Sequence, residues 1–128
     1  MEWFDLEIKE SGENYLETIL LLYKKNGLVR SIDIANELEY SKPSISRAMS
    51  ILKEAGYIVM EKSGLINLTE EGMKKAGEVY ERHECVTNYL MNALGVGRRT
   101  AEKDACRIEH IISDETFEKI KEYMDAIK

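Results

Sequence analysis

The chain is poor in proline and cysteine, with one of the first and two of the second in 128 residues. So few cysteines exclude a disulfide scaffold, and a single proline excludes a proline-rich linker protein. Histidine is scarce as well, at two residues, which leaves little material for nucleophilic or general-base catalysis. A His-Glu-x-x-His run, a glycine-rich phosphate loop and a nucleophile elbow are all absent, so no enzyme is expected. The apolar runs are too short and interrupted to span a bilayer. The first ten residues carry Glu2, Asp5 and Glu7 rather than a basic, apolar leader, so no signal peptide is expected. What is present, 44% hydrophobic and 33% charged residues, is too apolar for disorder and fits one compact domain or two small ones sharing a core. The expectation is a cytoplasmic protein with reduced thiols and no membrane or small-molecule substrate. Its 24 acidic against 18 basic residues, a net charge of −6, count at first sight against a nucleic-acid partner.

Glycines punctuate the order of elements. Tyr15, Ile19 and Leu22, beside Leu16, Leu20 and Tyr23, recur at helical spacing between Ser11 and Asn26, with Gly27 following as a C-cap. A short helix is predicted over Ile32–Leu38 with Ser31 as its N-cap. After a break at Glu39 and Tyr40, Ser41 caps a third helix with Pro43 in its first turn, ending at Ala55 before Gly56. The period then changes: 57–61 and 65–69 read as strands of a β-hairpin joined by Lys62, Ser63 and Gly64. Thr69 caps a long helix to Leu94, ended by Gly95 and Gly97. A fifth helix is predicted over Thr100–Ile112, and a sixth starts after Ser113. The first half is the order of a winged helix-turn-helix, and the fold class is mainly α.

In such a motif the second helix enters the major groove, and here that helix is Ser41–Lys53. Its inner face is Ile45, Met49 and Leu52. Facing away are Ser44, Ser46, Arg47 and Ser50, with Lys42 and Lys53 at the ends. The stretch holds three basic residues and no acidic one, so the acidity of the chain is not spread over this face. Ser41, Lys42, Pro43, Ser44, Ser46, Arg47 and Lys53 are the expected DNA-binding residues, and Lys62 beside Ser63 is the expected phosphate contact at the wing tip.

Both scarce ligand types meet in Cys106-Arg107-Ile108-Glu109-His110. On a helix, Cys106, Glu109 and His110 stand at i, i+3 and i+4, with Cβ atoms about 5–6 Å apart on one face. Glu102 extends the stripe by one turn, and His83 lies on the preceding long helix. A thiolate, carboxylate and imidazole there suit a divalent cation. The spacing alone also fits a structural face with a buried cysteine and a Glu–His pair.

The segment from Asp104 to Glu115, DACRIEHIISDE, resembles the metal-binding helix of the diphtheria toxin repressor (DtxR/MntR) family. Residues 11–18, the start Ser41-Lys42-Pro43-Ser44 and Arg82-His83-Glu84 are similar to the same family in the same order. The resemblance implies a winged helix-turn-helix over 1–72, then a helical metal-binding and dimerisation domain over 73–128. It implies a homodimeric, metal-dependent repressor that binds a double-stranded DNA operator and controls metal homeostasis. The implied cation site uses Cys106, Glu109, His110 and Asn14, with a second position at His83 and Glu17 sharing Glu109. Departures stand out. Asn14 replaces the Asp of the manganese branch and the Met of the iron branch. Thr87 replaces a carboxylate of the iron branch's ancillary site, and Glu102 its histidine. Glu17 follows the manganese branch and Cys106 the iron branch. The expected cofactor is Fe(II) or Mn(II), with the soft thiolate favouring iron. The competing expectation is a metal-independent winged-helix regulator with a structural Cys-Glu-His face.

Overall fold

In a computed structural model the described residues are 2–127, with side chains for 12–127. The chain divides after Gly77 into two compact units. The side chains of Trp3 and Phe4, among the acidic residues at the N-terminus, lie outside the described set. The backbone there belongs to α1 (Glu2–Asn26), which starts well before the apolar period that revealed it.

The first unit continues with α2 (Ser31–Leu38), α3 (Lys42–Glu54), β1 (Ile58–Met60), β2 (Ile66–Leu68) and the opening of α4 (Glu70–Leu94). Leu16, Ile19, Leu20 and Leu22 of α1 are buried, as are Ile34 of α2, Ile45, Met49 and Leu52 of α3, Ile58 and Ile66. α1 packs against α2, α3 and β2, so the predicted inner face of α3 is the one that faces the core. Burying side chains of this size contributes about 1.5–3 kcal/mol each, before the opposing chain entropy.

Two local expectations change. Ser31 does not cap α2. It is the first helical residue, and extended Arg30 takes the cap position with its amide donating to the Asp33 carboxylate at 2.9 Å. The strands have three residues each rather than five. At one end the Tyr57 amide turns away to the Leu52 carbonyl at 3.0 Å, while the Thr69 amide still donates to the facing Tyr57 carbonyl at 3.0 Å and the Glu61 amide to the facing Leu65 carbonyl at 2.9 Å. β1 and β2 pair antiparallel, Ile58 opposite Leu68 and Met60 opposite Ile66. Gly64 closes their turn at φ +93°, a region a side chain rarely adopts. Thr69 both accepts the Gly72 amide at 3.1 Å and donates to the Gly56 carbonyl at 2.6 Å, tying the start of α4 to the end of α3.

The second unit holds the rest of α4, α5 (Arg98–Ile111) and α6 (Asp114–Ala126). Ser113 caps α6 by accepting the Thr116 amide. Val79, Val86, Ala101, Ala105, Phe117 and Met124 are buried. Tyr15, Tyr57, Tyr80 and Tyr89, at apolar helical or strand positions where core packing is the default, are half-buried. Tyr123 is instead 46% exposed, its ring edge-to-face with Tyr89 at 5.6 Å between centroids.

Candidate metal centre and nucleic-acid interface

α5 carries Cys106, Glu109 and His110 in its last two turns, and α4 brings His83 beside them. One ligand atom each from His83, Cys106 and Glu109 lies within 4.8 Å of the others. Glu109 is the deepest, with no side-chain surface exposed. Its Oε2 lies 2.7 Å from His83 Nδ1, and its Oε1 lies 3.3 Å from His110 Nε2. Nδ1–H donating to the carboxylate is the tautomer that a carboxylate partner commonly fixes, and it is the one in which a histidine binds an ion through Nε2. Cys106 is exposed and in no disulfide.

The donor set fits a divalent cation. Glu109 Oε1 is buried and makes no hydrogen bond among the described residues, and an acceptor left so costs about 1–3 kcal/mol. A cation would satisfy it. One carboxylate, two imidazoles and a thiol offer oxygen, nitrogen and sulfur donors, which suits first-row transition metals better than magnesium or calcium.

Glu102 is half-exposed and pairs with Arg98 one turn earlier at 3.4 Å. Asn14 and Glu17 belong to α1 in the first unit, half-buried and buried respectively; the Asn14 carbonyl accepts the Thr18 hydroxyl at 2.8 Å. Thr87, one turn beyond His83, is buried and its hydroxyl makes no hydrogen bond among the described residues.

Three elements build the second candidate site. Ser41 caps α3, accepting the Ser44 amide at 3.3 Å and donating to the Ser44 hydroxyl at 2.9 Å. Lys42, Pro43, Ser44, Ser46, Arg47, Ser50 and Lys53 are all exposed, and so are Lys62 and Ser63 at the wing turn. Arg30 was not singled out in the sequence, yet it holds this wing. Its Nη1 donates to the Ser63 carbonyl at 2.6 Å, Leu65 bridges to it, and the Ile66 amide donates to the Val29 carbonyl at 2.8 Å. The only local signal for that role is a lone arginine preceding a helix, too common to interpret. Arg82, noted in the sequence only as the neighbour of His83, likewise reaches 32 residues along the chain to Asp114.

Comparison with known proteins adds the following. A family model described as the iron dependent repressor N-terminal DNA binding domain matches residues 7–65. One described as the iron dependent repressor metal binding and dimerisation domain matches residues 69–128. An uncharacterized HTH-type transcriptional regulator of Methanocaldococcus jannaschii is 31% identical, over 94% of this chain and 98% of its own length. The transcriptional regulator MntR of Escherichia coli is 35% identical, over 88% of this chain and 72% of its own. A solved manganese-dependent transcriptional repressor in complex with manganese shares the fold with a TM-score of 0.83, at 23% identity over 89% of this chain. The chain spans about half, 52%, of that protein's length.

Proposed function

The chain belongs to the iron-dependent repressor family, and from that premise we propose that it is a transcriptional repressor whose binding to an operator depends on a divalent transition metal, Fe(II) or Mn(II). The observation that carries the reading is the buried Glu109 carboxylate, set between His83 and His110 with Cys106 alongside. Family membership supports the rest: a homodimer, double-stranded DNA as partner, metal homeostasis as the regulated process and the cytoplasm as its place. Regulation of transcription, not catalysis, is its work.

A bound cation supplies the positive charge that makes this cluster of donors favourable. Glu109 gives it a buried oxygen anchor, and His83 and His110 give nitrogen donors aligned by that carboxylate. Cys106 adds the soft donor that weights selectivity towards iron over manganese. The family resemblance adds Asn14 and Glu17 of α1 to this ligand set, and Glu102 in place of a histidine at an ancillary position. On the DNA side, Ser41 and Ser44 let the backbone at the start of α3 approach a phosphate. Arg47 reaches base edges, and Lys42, Lys53 and Lys62 neutralise phosphates. A metal that favours the conformer competent for DNA couples the two sites, and couplings of this kind change affinity about 5–150-fold.

The test is an anaerobic operator-binding titration with Mn(II), Fe(II), Co(II) and Zn(II) at fixed salt, repeated with chelator. Metal-dependent tightening, lost in Cys106→Ala and Glu109→Gln, is the expected result. Equal operator affinity with and without chelator would sink the reading and leave a metal-independent regulator. The order of activation reports the metal preference.

A further inference from the structure

Resting on that metal reading, we propose that Arg82 is the positioning residue of the metal centre, setting the distance between His83 on α4 and Glu109 on α5. Arg82 immediately precedes His83. Successive helical residues point about 100° apart, so the guanidinium leaves the cation-binding face clear and acts at the junction of the two following helices. Its Nη1 donates to the Ile112 carbonyl at 3.4 Å, and its Nη2 pairs with the Asp114 carboxylate. The guanidinium carbon sits 4.9 Å above the Phe117 ring.

Each partner marks a structural end. Ile112 caps α5, its amide bonded to the Ile108 carbonyl at 3.1 Å, one turn beyond Glu109. Asp114 opens α6 just after the Ser113 cap, and Phe117 is buried in the core face of that helix. A single side chain therefore grips the last turn of α5, the first residue of α6 and the ring that seats α6, while its own backbone carries the next residue into the ligand set. Asp114 is 92% exposed, so the ion pair by itself is worth little. What matters is direction: the planar fork of arginine serves a carbonyl and a carboxylate at once and stacks on a ring, which a lysine ammonium cannot do. Ligand distances must hold to within about 0.2 Å for tight coordination, so loosening this junction costs affinity without removing a donor.

The test is an anaerobic Co(II) titration of the full-length protein, followed through the thiolate-to-cobalt absorption and the d–d bands. Arg82→Ala is expected to weaken Co(II) binding about 10-fold or more, the effect typical of groups that orient metal ligands, and to shift the d–d bands. Arg82→Lys falls between it and wild type. Lys121→Ala serves as control, because Lys121 also ties α6 to α4, through Glu81 at 2.9 Å, without reaching the end of α5. Wild-type affinity and bands in Arg82→Ala would overturn the proposal, as would an equal loss in Lys121→Ala. If Arg82→Ala does not fold by circular dichroism, Arg82→Lys and Asp114→Asn decide: weakened cobalt binding in both supports it, and wild-type binding in either overturns it. A wild-type protein that shows neither cobalt–thiolate absorption nor d–d bands rejects the metal reading itself, an outcome separate from a loss confined to the Arg82 variants.

Discussion

Two glycines of α4 make opposite predictions for the same substitution. A Cβ built on Gly72 falls 1.9 Å from the Tyr57 carbonyl oxygen and 2.9 Å from its carbon. Ordinary contact is roughly 3.5 Å, so alanine at 72 forces main chain apart by about 1.5 Å. That carbonyl accepts the Thr69 amide at 3.0 Å, and the Gly72 amide is itself held by the Thr69 hydroxyl. Overpacking of this kind costs about 1–3 kcal/mol and a lost internal hydrogen bond about 1 kcal/mol. The gain in helix propensity offsets about 1 kcal/mol. The net expectation for Gly72→Ala is a loss of about 2 kcal/mol. Nothing lies within 4 Å of a Cβ at Gly77, so Gly77→Ala keeps the propensity gain and stabilises by about 0.5–1 kcal/mol. Urea unfolding followed by circular dichroism separates the two: the midpoint falls for Gly72→Ala and rises for Gly77→Ala. Because Tyr57 leads into β1, the first variant should also weaken operator binding. A Gly72→Ala midpoint at or above wild type would refute the steric argument.

Three further outcomes are expected. Glu109→Gln keeps the shape and removes the charge. Metal affinity should fall by more than the about 10–100-fold typical of orienting groups, while the metal-free protein unfolds at an unchanged or higher urea concentration; unchanged metal affinity speaks against the site. Lys62→Ala should weaken DNA binding alike for all sequences and reduce the slope of log affinity against log salt by about 1, whereas Arg47→Ala should cost about 1–3 kcal/mol and relax sequence preference. Equal behaviour of the two variants would contradict their assignment. Tyr15 has its phenol pushed above the usual 10.0 by burial and by nearby Tyr40. The folded state thus holds that proton more tightly than the unfolded chain. Its contribution is complete below pH 10.0 and lost as pH rises through the raised value. Stability of the wild type should therefore fall more steeply above pH 10.0 than that of Tyr15→Phe; parallel urea midpoints over that range would exclude the effect.

Local signals were enough for most of the elements. Ser41 and Ser113 announce α3 and α6 because a short hydroxyl before a helix satisfies an orphan amide within three residues. Ile45, Met49 and Leu52 announce their face because burial repeats with the helical period. The misses have another origin. Ser31 looks like a cap by type, but extended Arg30 paired with Asp33 starts α2 one residue sooner. β1 is shorter than its apolar run because the Tyr57 amide goes to the Leu52 carbonyl at the end of α3 instead of across the hairpin. Arg30 and Arg82 act on residues 33 and 30 or more positions distant, and no periodicity records such a reach. The Cys106–Glu109–His110 spacing was visible, whereas the depth of Glu109 and its hydrogen bond to His83 required the packed helices.

The donors of the metal centre lie at different depths, and that gradient sets a direction of traffic. Glu109 is sealed, His83 is 18% exposed at its side chain and Cys106 stands at the surface. An ion arriving from water would meet the Cys106 sulfur before the Glu109 carboxylate. The same outward sulfur is the atom an oxidant reaches first, and a sulfenic acid there removes the entry donor while leaving the deeper pair intact.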